Sequence, residues 1–133
     1  LRGFKAAAPE QLLHTNQDSV FRELPFRLSL PNDAGWLKGV IDLVYRDEAR
    51  QCWVVLDYKS DSSAPSELSE RYRGQLTAYA WAASQVLPDL TQNGWRVETQ
   101  LLCTAHGARH VVTPAATADE VARQFSTVLS TEL

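Results

Sequence analysis

The chain has 133 residues, 44% of them hydrophobic and 22% charged. These are ordinary globular proportions, which exclude a disordered or coiled-coil chain, and the length suits one core rather than two. The formal charge of −3 excludes attachment to nucleic acid by bulk electrostatics, although carboxylates gathered at a cation site count against that total until the cation arrives.

No apolar run approaches the ~20 residues that span a bilayer, and no signal-peptide pattern opens the chain. A soluble, cytoplasmic domain without a membrane partner is therefore expected. The chain starts at Leu1 and contains no methionine, which fits a piece of a longer polypeptide. Ten of the thirteen bases are arginine, the residue better shaped for bidentate phosphate contacts. Cys52 and Cys103 lie in apolar runs and read as buried free thiols. Two cysteines are too few for a four-cysteine zinc or iron–sulfur site.

Residues 1–19 have weak periodicity and read as a loose lead-in, the end of an upstream helical part, with a short helix at 10–14. A folded domain is expected over 20–133. Residues 20–30 read as a strand ended by the Pro31-Asn32-Asp33-Ala34-Gly35 turn, 36–45 as a second and 51–59 as a third. The unbroken apolar stretch Cys52-Trp53-Val54-Val55-Leu56 marks the third as central. Short turns between the three imply an antiparallel meander. A serine-rich loop then leads into one helix over 67–87, with Ser66 as N-cap. Its inner stripe is Leu68, Tyr72, Leu76, Tyr79, Ala83 and Val86–Leu87. A fourth strand follows at 95–104, a short fifth at 109–112, and a last helix opened by the Thr117-Ala118-Asp119-Glu120 capping box. The order β-β-β-α-β-β-α gives a mixed α/β (α+β) class with a largely contiguous sheet.

Asp42 interrupts the apolar run of the second strand, and Asp57 stands near the end of the third. A buried carboxylate must be paired or used. One alternative is a structural Asp42–Lys59 salt bridge across adjacent strands. Against it, Asp57 and Lys59 are two apart and share one face of a strand paired with that of Asp42. Gln75, four residues before Tyr79, breaks the apolar stripe of the long helix. Two carboxylates, a lysine and an amide converging at one point describe a hard-cation site for Mg2+, with Mn2+ as a substitute. Such a site suits phosphodiester hydrolysis, with Lys59 orienting or deprotonating water.

The set Gly39-Val40-Ile41-Asp42, Asp57-Tyr58-Lys59-Ser60-Asp61 and Tyr72-Arg73-Gly74-Gln75-Leu76-Thr77-Ala78-Tyr79 resembles the RecB-family nuclease domain of the PD-(D/E)xK superfamily. It is most similar to the C-terminal nuclease domain of AddA-type helicase–nucleases of the UvrD-like class, whose E-x-P-F strand Glu23-Leu24-Pro25-Phe26 matches. The resemblance implies a restriction-endonuclease-like core and Mg2+-dependent DNA hydrolysis in double-strand break processing and recombinational repair. Asp42, Asp57 and the Tyr58 carbonyl then resemble the metal ligands, Lys59 the catalytic lysine, and Gln75 and Tyr79 the third motif. Glu23 is a possible accessory residue, or pairs with Arg22 or Arg27. Arg71, Tyr72 and Arg73 are DNA-contact candidates, and Arg71 and Arg73 read equally as a solvated helix face.

The implied partners are single DNA strands delivered by a helicase motor on the same polypeptide, and a second nuclease or helicase subunit, in a bacterial nucleoid setting. The family's upstream histidine helix has no counterpart in this sequence, and His14, His106 and His110 are poor substitutes. Iron–sulfur relatives use four cysteines, so no such cluster is expected. The other readings are a non-catalytic DNA-binding or docking module and a stand-alone RecB-like nuclease.

Overall fold

The computed structural model describes residues 20–87 and 94–131; the lead-in 1–19 and its helix lie outside the described residues. Strands β1 (Val20–Ser29), β2 (Trp36–Asp47) and β3 (Cys52–Lys59) precede helices α1 (Pro65–Arg71) and α2 (Arg73–Val86). Strands β4 (Arg96–Cys103) and β5 (Ala108–Ala116) and helix α3 (Ala118–Thr131) complete the order. The five strands form one sheet in sequence order. β1–β2, β2–β3 and β4–β5 are antiparallel, so the expected meander is present, whereas β3–β4 is parallel. A parallel pair needs a long crossover, and α1 and α2 lie within that connection. The mixed α/β class follows.

β3 is the middle strand, and Cys52 through Asp57 are all buried. Its odd residues Trp53 and Val55 join Ile41, Trp81, Val97 and Phe125 in the larger core, on the side of α2 and α3. Trp81 of α2 stacks on Phe125 of α3 with ring centroids 4.7 Å apart. Val54 and Leu56 face the other way, with Leu43, Tyr45 and Leu102. Cys52 and Cys103 are both buried and free.

The β1–β2 hairpin carries an irregularity that matters for the site. Ile41 and Val44 belong to the same core although they are three apart, so the two-residue alternation of β2 slips between them. Opposite, Glu23 adopts a left-handed backbone with φ of 50°, a costly conformation for a residue with a side chain. The register Arg22↔Leu43 and Leu24↔Ile41 sets Glu23 against Asp42. The β2–β3 ladder stops at the same level, with Leu43↔Leu56 its terminal pair. Beyond it, β2 and β3 diverge into a fork.

Four sequence expectations change. The long helix is two helices, interrupted at Tyr72, whose backbone (φ −103°, ψ 9°) is not helical. α1 starts with Pro65 at its first position and Ala64 as cap, so Ser66 is inside the first turn. Proline at that position costs no hydrogen bond, because its missing N–H would be unpaired anyway. Val86 is 44% exposed and leaves the inner stripe, which ends on buried Leu87. The fifth strand has nine residues; Pro114 is tolerated because β5 is an edge strand. The capping box is present: the Glu120 N–H donates to Thr117 Oγ1 at 3.3 Å, and the Thr117 N–H donates to Glu120 Oε2 at 3.0 Å.

Candidate active site

The fork between β2 and β3 is lined first by Asp42. Its Oδ2 accepts the Tyr58 backbone N–H at 2.8 Å, supplying the acceptor that β2 would give had the ladder continued. A side chain thus holds the strands together where the backbone lets go. Asp42 is half-buried.

Asp57 enters from β3 and is 4% exposed. Lys59, two residues on, brings Nζ within 3.1 Å of Asp57 Oδ2. The salt bridge expected as an alternative, Asp42 with Lys59, is therefore not the one formed. Although near enough for an ion pair, that Asp57 oxygen has no aligned hydrogen-bond donor. Burial, then the adjoining Asp42 carboxyl, pushes the Asp57 acid up to about 7, against the pull of Lys59. Its charge is under-compensated, which is the condition a cation relieves.

The helices close the other side. Lys59 Nζ donates to Gln75 Oε1 at 3.4 Å, and Gln75 Nε2 donates to the Tyr79 hydroxyl at 3.0 Å. Both residues lie on α2 one turn apart, so they reach the same point. Nζ also sits 4.1 Å from the centroid of the Tyr72 ring. The helix break at Tyr72 and the lysine thus meet. Burial raises the Tyr79 phenol above its ordinary value, and the Asp57 charge adds to it. Burial likewise pushes the Tyr58 phenol up to about 12.

Gly39 explains how Tyr79 comes so close. A Cβ built there would stand 3.0 Å from Phe26 Cζ and 3.6 Å from the Tyr79 ring. Phe26 in turn meets Tyr79 edge-on, at 5.7 Å between centroids. The glycine is the space in which the hairpin packs on the helix of the site; the sequence offers it only as part of a motif.

Other candidates stand apart. Glu23 is exposed, and Arg27, one of its two expected partners, lies over the Trp36 ring. Arg71 binds Asp61 at 2.9 Å, and Arg73 reaches Glu70 and the Val112 carbonyl. Asp61 also accepts the Ser63 N–H at 2.8 Å as a loop cap, and that bond first of all lowers its pKa. His106 and His110 are exposed, and His106 contacts the Ser62 carbonyl. His14 lies outside the described residues.

Among the described residues, no group of three or more His, Cys, Asp or Glu is placed to hold a metal. The donor set at the fork is two carboxylates plus the backbone around Tyr58. Oxygen donors and an under-compensated buried carboxylate suit a hard divalent cation rather than a soft one. No helix among the described residues is long and apolar enough to cross a membrane.

The sequence matches the PD-(D/E)XK nuclease superfamily over residues 4–133. It is 37% identical over 90 residues to an ATP-dependent helicase/nuclease subunit of Streptococcus mutans, covering 64% of this chain and 7% of that protein. The protein of the same name from Streptococcus thermophilus is 37% identical over 92 residues, with the same coverage. Its namesake from Lysinibacillus sphaericus is 36% identical over 80 residues, covering 51% of this chain and 6% of the relative. The matched segment is thus a small part of these relatives.

Proposed function

This chain belongs to the PD-(D/E)XK nuclease superfamily, and from that premise we propose that its fork between β2 and β3 hydrolyses DNA phosphodiesters with Mg2+, or Mn2+ in its place. The observation that carries the reading is the buried Asp57 oxygen without an aligned donor, beside a second acid and a lysine. Asp42, Asp57 and the Tyr58 carbonyl would hold the cation. When bound, it supplies Lewis acidity to the phosphate and lowers the pKa of water.

The protein's own part is positioning and charge. Gln75 accepts one N–H of the Lys59 amine and Asp57 holds it by charge, which leaves donor directions for water or a phosphate oxygen. Tyr79 orients the Gln75 amide so that its carbonyl, not its NH2, faces the lysine. Asp42 sets the Tyr58 peptide, and with it the direction of the neighbouring carbonyl.

The relatives' shared name supports a larger setting. In this reading the domain, residues 20–133, serves the exonucleolytic step of a bacterial AddA-type helicase–nuclease in the cytoplasm, at the nucleoid. A motor on the same polypeptide would feed it single strands for double-strand break processing, and a second nuclease or helicase subunit would complete the complex. The test is divalent-dependent cleavage of single-stranded DNA by the chain. Asp57→Ala and Lys59→Ala should each abolish it with circular dichroism unchanged; equal cleavage by parent and variants would sink the assignment.

A further inference from the structure

The β1–β2 hairpin runs past the fork, and its two faces differ. Leu24, Phe26, Leu28, Leu37 and Ile41 turn to the helix-side core. The alternate residues of β2 are Trp36, Lys38 and Val40, and the next in that series is Asp42. Trp36 is 62% exposed and Val40 48% exposed, while Trp53, Trp81 and Trp95 are all buried. The Arg27 guanidinium is 4.7 Å from the centroid of the Trp36 ring.

Two costs mark this strip. A solvated indole forgoes the burial that the other three tryptophans obtain. Arg27 and Lys38 are also direct cross-strand partners, a like-charge pairing that weakens a hairpin. Neither forms an ion pair with a described carboxylate. An anionic ligand with flat groups removes both costs.

We propose that Arg27, Trp36, Lys38 and Val40 form a track for single-stranded nucleic acid that leads to Asp42. This rests on the hydrolytic reading of the fork for its direction. Trp36 and Val40 offer a flat aromatic platform and an apolar neighbour for an unpaired base, and Arg27 backs the platform. Lys38 and Arg27 meet phosphate oxygens. Duplex DNA hides its base faces and leaves the indole nothing to stack on. A protein partner would also bury the indole, but the like-charged Arg27–Lys38 pair beside it matches the repeated phosphates that accompany stacked bases, so a single strand is the better fit. From Trp36 to Asp42 the strand rises ~20 Å, long enough to seat several nucleotides upstream of the cut.

The test is fluorescence anisotropy of the chain with labelled oligothymidylate, in chelator so that nothing is cut. Trp36→Ala should weaken binding about tenfold or more, and Trp36→Phe should recover most of it. Lys38→Ala should reduce the slope of log affinity against log salt by about 0.7. Arg123→Ala, an exposed base on α3 outside the strip, should bind like the parent, and because binding is read where nothing is cut, a failure of the cleavage reading stays separate from a failure of the track. Unchanged affinity in Trp36→Ala, equal loss for duplex and single strand, or no binding by the parent at low salt would each overturn the proposal. If the variants instead lose association with a partner protein in the full-length protein while still binding oligothymidylate, the strip is a docking surface and the proposal fails.

Discussion

Asp42 Oδ2 takes the Tyr58 backbone N–H at 2.8 Å, at the level where the β2–β3 ladder ends. One side chain therefore has two duties: closing the fork and presenting a carboxylate to it. Asparagine separates them, because its carbonyl oxygen still accepts the N–H but carries no charge. Asp42→Asn is expected to melt within about 1 kcal/mol of the parent and to lose Mn2+ binding in calorimetry. Asp42→Ala leaves the N–H unpaired and should cost about 1–3 kcal/mol in addition to the ion. If Asn is as destabilised as Ala, the hydrogen bond is not what holds the fork.

Asp57 makes stability depend on pH. Its folded value, pushed up to about 7, lies above the ordinary 3.8. A raised carboxyl contributes stability that is complete below the unfolded value and is lost as pH rises through the folded one. In chelator, the unfolding free energy from urea titrations should fall from about pH 4 to about pH 8, by on the order of a few kcal/mol. Asp57→Asn should flatten that fall and be more stable than the parent at the alkaline end. Mg2+ should stabilise the parent more at about pH 8 than at about pH 5, since it competes with the proton. A parent whose stability rises across this range contradicts the assigned burial of Asp57.

Gly39 is the third lever. Gly39→Ala puts a methyl 3.0 Å from Phe26 Cζ, and Phe26 is buried in the core. The ring must shift, and it is the ring that meets Tyr79. Thermal melts should show a loss of about 1–3 kcal/mol, and cleavage measured well below the melt should fall as well, because Tyr79 holds Gln75. A loss of stability with full cleavage would show that the Phe26–Tyr79 contact is only packing.

How far the sequence leads depends on the range of the interaction. Asp57 and Lys59 are two apart on one strand, Gln75 and Tyr79 four apart on one helix, and fixed periods make each pair legible. The β1–β2–β3 meander and the buried cysteines follow from the same local patterns. The fork does not, because it arises where a left-handed Glu23, a slipped alternation in β2 and a terminated ladder coincide across three strands. Apolar periodicity continues through Tyr72, so the helix break is hidden in a pattern that both one helix and two can satisfy. Lys59 settles on Asp57 rather than Asp42, a choice that only three-dimensional distance decides.

Glu98 is the other residue the sequence conceals, a buried acid in β4. It receives Arg50 Nη2 at 2.6 Å and the Gln100 amide at 2.6 Å, while Arg109 donates to Gln100 Oε1 and to the Tyr45 hydroxyl. Arg50 also lies 3.6 Å from Asp47. This network ties the β2–β3 turn to β4 and β5 at the Cys52 end of β3, whereas Asp57 and Lys59 are at its other end. Glu98→Ala leaves the buried Gln100 donor unpaired, with Arg50 keeping water as a partner because it is half exposed. A loss of about 2–3 kcal/mol is expected, with cleavage by the folded fraction unchanged. Arg50→Ala strands the Glu98 carboxylate and should cost as much or more. The double variant should cost less than the sum of the two, since the second truncation removes the charge that the first left unpaired. Additive losses would mean that the two side chains are stabilised separately, and that the turn is held by the backbone rather than by this pair.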